Sequence, residues 1–236
     1  MHAVVTVPLA DVVRDPVKDS SLEHQVLFGE NLHLVGEQEG YYAVRTFAEQ
    51  YPGWIKKEDC LFTDYVYKGD VIVAEKTVSL YISRKKIISL CAGTYLDSRG
   101  KDGHYLGVRL PDGSYGLVDP EAVIYGVKPQ KRESIVSTAK ELSTWEIPYL
   151  WGGVSPHGID CSGLMKLILR LNGITAFPRD SRQQYVAGGG DIDDIRFLSP
   201  GDMIFFTAPE KEPFVTHVGM MVDPTHFVLF ILSSPF

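Results

Sequence analysis

The stretch from Pro148 to Gly173 constrains this chain most. Pro148-Tyr149-Leu150-Trp151-Gly152-Gly153 is rich in turn formers, Asp160-Cys161-Ser162-Gly163 follows a loop, and Leu164 to Leu171 places apolar residues at helical spacing before Asn172-Gly173. Such a pattern predicts a loop that delivers Asp160 and Cys161 to the start of an amphipathic helix closed at Asn172-Gly173. A thiol at that position lies on the positive end of the helix dipole, where thiol pKa values fall from about 8.5 to roughly 3.5–7.5 and a nucleophile results. A nucleophile of this kind needs a base. His217 is the candidate, in the strand-like run Thr216-His217-Val218-Gly219-Met220-Met221-Val222 that follows Pro200-Gly201-Asp202-Met203-Ile204-Phe205-Phe206.

Composition narrows the function classes. With 44% hydrophobic residues and mixed charges over 236 residues, the chain is long enough for one to three compact units. The net charge of −7 argues against nucleic acid as a partner, because polyphosphate binding relies on Lys and Arg. Three cysteines do not make a disulfide framework, and Cys60 and Cys91 lack metal-site spacing to any histidine, so both are expected to be buried small hydrophobes. Met1 to Ala10 has no basic n-region and no apolar run is long enough to span a bilayer, so the expected location is the cytoplasm, or the periplasm or exterior if a leader has been removed.

Short β-like runs separated by turn signals fill the first half: Ala3 to Val7, His24 to Phe28, Asn31 to Glu37, Tyr41 to Arg45 and Gly53 to Ile55, then more loosely Val71 to Ala74, Ser79 to Ile82, Thr94 to Asp97, Tyr105 to Arg109 and Ser114 to Val118. This spacing predicts two small β-barrels. Gly126 to Arg132 reads as a linker, and Glu133 to Thr144 as a helix burying Ile135, Ala139 and Leu142.

Taken in order, Tyr149-x-Trp151-Gly152-Gly153, Asp160-Cys161-Ser162-Gly163, Pro200-Gly201-Asp202-Met203-x-Phe205-Phe206 and His217-Val218-Gly219 resemble the signature of the NlpC/p60 family, papain-like bacterial cysteine peptidases that cut cell-wall peptides. The first half resembles bacterial SH3-like domains. The implied architecture is α+β: SH3-like domains at 1–64 and 65–125, then a papain-like catalytic domain at 126–236 in which two helices precede antiparallel strands. The resemblance implies Cys161 as nucleophile, His217 as base and Tyr149 as a hydroxyl near the scissile carbonyl, with packing as the competing role for Tyr149. The residue that orients the base should follow it by about twelve positions, which lands on Leu229; the nearest polar residue is His226, which a shorter hairpin at Asp223-Pro224 would bring into register. The family adds strands beyond this hairpin, whereas this chain stops at Ser233-Ser234-Pro235-Phe236, so an unfinished sheet is expected.

In two-SH3 members of the family, the counterpart of Phe177 to Gln184 recognises the start of a stem peptide. By that resemblance Asp180 pairs with the free amine of L-Ala, Ser181 and Ser162 contact D-Glu, and Tyr51 closes the site; the competing role for Asp180 or Ser181 is capping a helix that begins near Arg182. Glu30 and Glu23 are candidates for an assisting glutamate. The implied activity is a monomeric γ-D-glutamyl-L-diamino acid endopeptidase that needs no cofactor and acts on peptidoglycan-derived L-Ala-γ-D-Glu-diamino acid peptides, the diamino acid being diaminopimelate or Lys. Two alternatives use the same residues: an inactive wall-peptide binding protein lacking the third catalytic residue and terminal strands, and an acyltransferase or amidase with a different acyl substrate.

Overall fold

The computed structural model of the chain describes residues 2–83, 86–126, 128–188, 190, 192, 194–207 and 214–229. Two compact units emerge, Met1–Val127 and Lys128–Phe236.

The first unit holds two antiparallel seven-stranded sheets. One contains β1 (His2–Val5), β2 (Leu9–Val13), β3 (Leu22–Leu27), β4 (Asn31–Gln38), β5 (Tyr41–Thr46), β6 (Pro52–Lys56) and β7 (Cys60–Thr63); the other contains β8 (Val71–Val73), β9 (Thr77–Ser83), β10 (Lys86–Cys91), β11 (Tyr95–Asp102), β12 (Tyr105–Arg109), β13 (Tyr115–Val118) and β14 (Val123–Tyr125). Their strand orders are β3-β2-β6-β5-β4-β1-β7 and β10-β9-β13-β12-β11-β8-β14, so the second sheet repeats the topology of the first with every strand advanced by seven. Each sheet folds over its own core, Val12, Val26, Leu32, Val44 and Ile55 in one and Val71, Leu80, Leu90, Leu96 and Val108 in the other. Phe28 from the first belongs to the core of the second. Between the sheets, Asn31 brackets Tyr67 by accepting from its N–H and donating to its carbonyl, while the Tyr67 hydroxyl donates to Arg109 O and accepts from Asp97 N–H.

Four strands of the first unit escape the sequence reading: β2, β7, β10 and β14. In β2 the inward positions include the small Ala10, and in β7 no residue is fully buried, so neither shows a strong alternation of large apolar and polar residues.

The second unit opens with α1 (Arg132–Ser143), whose buried positions are Val136, Ala139 and Leu142; Val136 takes the place expected for Ile135, which is half-buried. The segment read as a linker is tied into this unit, with Gln130 N–H donating to Asn172 O at 3.0 Å. Next come the short hairpin β15 (Val154–Ser155) and β16 (Gly158–Ile159), then α2 (Cys161–Leu171) and α3 (Ser181–Ala187). Among the described residues three α-helices therefore precede the sheet, against the two expected, because the Asp180-Ser181 step starts a helix of its own. The sheet is antiparallel, β17 (Met203–Thr207), β18 (Val215–Asp223) and β19 (His226–Val228), with β18 in the middle and packed against α1, α2 and α3. The end of the chain, Ser233 to Phe236, lies outside the described residues.

Helix α2 forms the core of the unit. All its residues except Arg170 are buried, which explains why the sequence places Leu164, Met165, Leu167, Ile168, Leu169 and Leu171 there. It ends as expected: the Asn172 side-chain amide donates to Ile168 O and Thr138 Oγ1, and Gly173 takes the left-handed φ of +78°.

Candidate active site

Cys161 is the first residue of α2 and is 6% exposed. Its helix is capped by Asp160, whose Oδ1 accepts from Gly163 N–H at 2.7 Å, while Oδ2 accepts from Gly152 N–H at 2.9 Å. One carboxylate thus joins the helix start to the Trp-Gly-Gly turn. The glycines of both motifs have steric reasons: Gly152 has a φ of +79°, and a Cβ on Gly163 would run into the Gly153 carbonyl oxygen.

The sulfur meets strand β18. Val218 N–H donates to Cys161 Sγ, so His217 is the chain neighbour of the group that touches the thiol. His217 is half-buried, its Nε2 screened from solvent, and its ring lies 6.2 Å from that of Phe206, its cross-strand partner. The thiol does not have the low pKa expected from the helix dipole alone. Burial pushes it above the ordinary thiol value and the Asp160 carboxylate adds to this, outweighing the Val218 and Ser162 N–H groups and Arg179.

Tyr149 is held by a parallel bridge to Ile159. Burial first, then the proximity of Cys161 and Asp160, push its phenol up to about 12, which leaves the hydroxyl as a hydrogen-bond donor at neutral pH. Trp151, two residues on, is 64% exposed.

Beneath the thiol lies a buried network that sequence reasoning missed. Arg179, 2% exposed, donates to both Asp160 oxygens, at 3.1 Å from Nη1 to Oδ1 and 2.6 Å from Nη2 to Oδ2, and to Ser162 Oγ at 2.7 Å. Ser162 Oγ in turn donates to Asp160 Oδ1 at 3.0 Å. Buried Ser162 Oγ thus donates to Asp160 and accepts from Arg179 within this network, with one acceptor lone pair left over. The signal that could have revealed it was Asp160 directly before a helix-starting Cys, a capping carboxylate that must find a cation once buried.

Asp180 stands at the N-cap position of α3, yet its side chain makes no capping bond, and Ser181 is the first helical residue; both are half-buried. The capping role weighed for Asp180 is therefore not the one its carboxylate takes. In the first unit, Tyr51 is half-buried and packs edge-on against the buried His24 at 5.3 Å. Glu23 pairs with Arg14, and Glu30 is half-buried in the turn after β3.

His226 is not beside His217. The hairpin is short, but the pairing of Asp223 with His226 and of Met220 with Val228 puts His226 at the turn, about 20 Å along β18 from His217 at ~3.3 Å per residue, and not in register with the base. It is 75% exposed and its Nδ1 lies 2.9 Å from Asp223 Oδ1. The residue that would orient His217 is not among the described part of β19, whose last strand residue pairs with Met220.

A buried thiol at a helix start, laid against a histidine-bearing strand, belongs to the papain-like class of cysteine peptidases. Comparison with known proteins makes the assignment. Residues 146–229 match the NlpC/P60 family and residues 12–59 match the bacterial dipeptidyl-peptidase Sh3 domain. The chain is 33% identical to a γ-D-glutamyl-L-lysine dipeptidyl-peptidase of Bacillus subtilis over 86% of its own length and 70% of that protein's, and 28% identical to dipeptidyl-peptidase 6 of Lysinibacillus sphaericus over 97% and 87%. An NlpC/P60 family protein of Bacillus cereus has the same fold, with a TM-score of 0.85 at 22% identity, covering 100% of this chain and 95% of that one. The chain belongs to the NlpC/P60 family and is an enzyme that hydrolyses peptide bonds. Its fold is α+β, with SH3-like domains preceding the NlpC/P60 domain. Among the described residues no helix is long and apolar enough to cross a membrane.

Proposed function

We propose that this protein is a cysteine endopeptidase that cleaves the bond between γ-D-Glu and the diamino acid of peptidoglycan-derived peptides whose L-Ala amine is free. The observation that carries this reading is the Val218 N–H on Cys161 Sγ, which brings the helix of the thiol and the strand of His217 to one place. Relatives named dipeptidyl-peptidases, one of them specific in name for γ-D-glutamyl-L-lysine, support removal of a dipeptide from a free amino end and disfavour the inactive alternative. For functional purposes the chain divides into residues 1–64 and 65–125 as SH3-like domains and 126–236 as the catalytic domain.

His217 takes the Cys161 proton as the sulfur attacks the γ-carbonyl carbon, forming the C–S bond; the Cys161 N–H at the helix start stabilises the oxyanion. The C–N bond then breaks as imidazolium gives its proton to the leaving amine, and water, deprotonated by His217, hydrolyses the thioester. The Tyr149 hydroxyl donates toward the same carbonyl. Asp180 recognises the substrate ammonium, and Ser181 and Ser162 contact D-Glu; acylation of the amine would leave the carboxylate without its cation.

The test is mass spectrometry of products from L-Ala-γ-D-Glu-L-Lys and L-Ala-γ-D-Glu-diaminopimelate. The expected product is L-Ala-D-Glu in both cases, or in one if the diamino acid is discriminated. Cleavage at the L-Ala–D-Glu bond, or none with either peptide, would overturn the reading.

A further inference from the structure

The pair beneath the thiol poses an electrostatic problem. Asp160 is needed where it is, capping α2 and holding Gly152, but a buried carboxylate beside Cys161 opposes the negative charge that the sulfur must acquire. Arg179 answers it, since the guanidinium fork spans both carboxylate oxygens and reaches Ser162 as well. The segment that carries it is fastened to the helix of the thiol on either side: Lys166 Nζ donates to Phe177 O at 3.1 Å, and Gln184 Nε2 donates to Pro178 O at 2.9 Å and to Ser162 O at 3.0 Å.

We infer that Arg179 is a positioning residue for the nucleophile, acting through Asp160: it holds the capping carboxylate in place and cancels the charge that would suppress thiolate formation at Cys161. The inference rests on Cys161 being the nucleophile, though its test needs no substrate. The other groups near the sulfur are Tyr149 and Asp160 from the bridge and loop before α2, with His217 one residue before Val218 on β18; Lys166, farther along α2, is directed to Phe177 O.

The experiment is the pH dependence of Cys161 alkylation by iodoacetamide in the full chain, with peptide mapping to separate Cys161 from Cys60 and Cys91. Arg179→Gln leaves the carboxylate uncompensated, and its midpoint should rise by about one unit, a tenfold slower reaction at fixed pH below it. Asp160→Asn leaves the guanidinium uncompensated while keeping a capping oxygen, and its midpoint should fall by a similar amount. The double variant should return to within about half a unit of the wild type, as cancelling charges require. A residue that only braces the fold would instead slow alkylation in both single variants with no opposite movement of the midpoints, and that result would overturn the inference. Should Arg179→Gln fail to fold, the direction of the Asp160→Asn shift decides. The predicted shifts in a protein that cleaved neither peptide would uphold the role of Arg179 while removing the peptidase reading.

Discussion

The two ends of the β18–β19 hairpin carry the same residue type in opposite surroundings. At one end His217 is half-buried, screened at Nε2, and adjacent to the N–H that meets a thiol; at the other His226 stands in solvent, tied to Asp223 and Thr225 at the turn. Asp223 is drawn well below the ordinary carboxylate range, first by the Thr225 N–H and then by His226. The difference teaches that in this hairpin the register, and not the count of residues between histidines, decides which ring can do chemistry. A half-buried ring next to the residue that meets a thiol can move a proton where charge matters, whereas an exposed ring hydrogen-bonded at a turn changes little.

The contrast can be broken by substitution. His217→Ala should lower kcat/KM for the γ-D-glutamyl peptides by about a hundredfold to ten-thousandfold, the range of a lost general base; steady-state kinetics on the folded variant checks this, and a loss under tenfold would place the base elsewhere. Asp180→Ala should erase most of the preference for a free over an N-acetylated L-Ala, a change of about tenfold or more given that a charged hydrogen bond contributes about 1.5–3 kcal/mol. Calorimetry with both peptides on Cys161→Ala protein reads it independently of turnover. Gly163→Ala should destabilise the catalytic unit by about 1–3 kcal/mol in denaturant unfolding, since its methyl has nowhere to go but the Gly153 carbonyl. His226→Ala should leave kcat/KM within about twofold of wild type, the outcome expected of an exposed pair; a large loss would mean that the turn end takes part in catalysis.

The pH dependence sharpens the same point at Cys161. Because burial raises the thiol pKa, alkylation of the free enzyme should climb through a midpoint above the ordinary thiol value of about 8.5. A midpoint well below neutrality would show a standing thiolate–imidazolium pair instead.

How much of this was legible in the sequence depended on how local the determining physics was. The helix after Cys161, its end at Asn172-Gly173 and the strand around His217 follow from periodicity and short-range turn chemistry, and the structure places them there. The site network was hidden because Arg179 and Asp160 lie nineteen residues apart and nothing but the tertiary fold pairs them. The burial that acts on the Cys161 thiol is hidden for a related reason: the helix start is visible in sequence, but the packing around it is not. The repeated topology of the first unit shows the same limit from another side. Strands such as Asn31–Gln38 and Tyr105–Arg109 could be read from their apolar residues, while the small or exposed side chains of β2 and β7 left those strands to be fixed by pairing with their neighbours.

The most direct test of the account is to follow L-Ala-γ-D-Glu-L-Lys and its diaminopimelate counterpart with the wild-type enzyme and Cys161→Ala, while searching the wild-type protein, quenched in acid during turnover, for a thioester. The account predicts release of L-Ala-D-Glu by the wild type, an L-Ala-γ-D-Glu adduct mapped to Cys161, and no detectable cleavage by Cys161→Ala. Cleavage by Cys161→Ala at the wild-type rate would contradict it and place the nucleophile elsewhere.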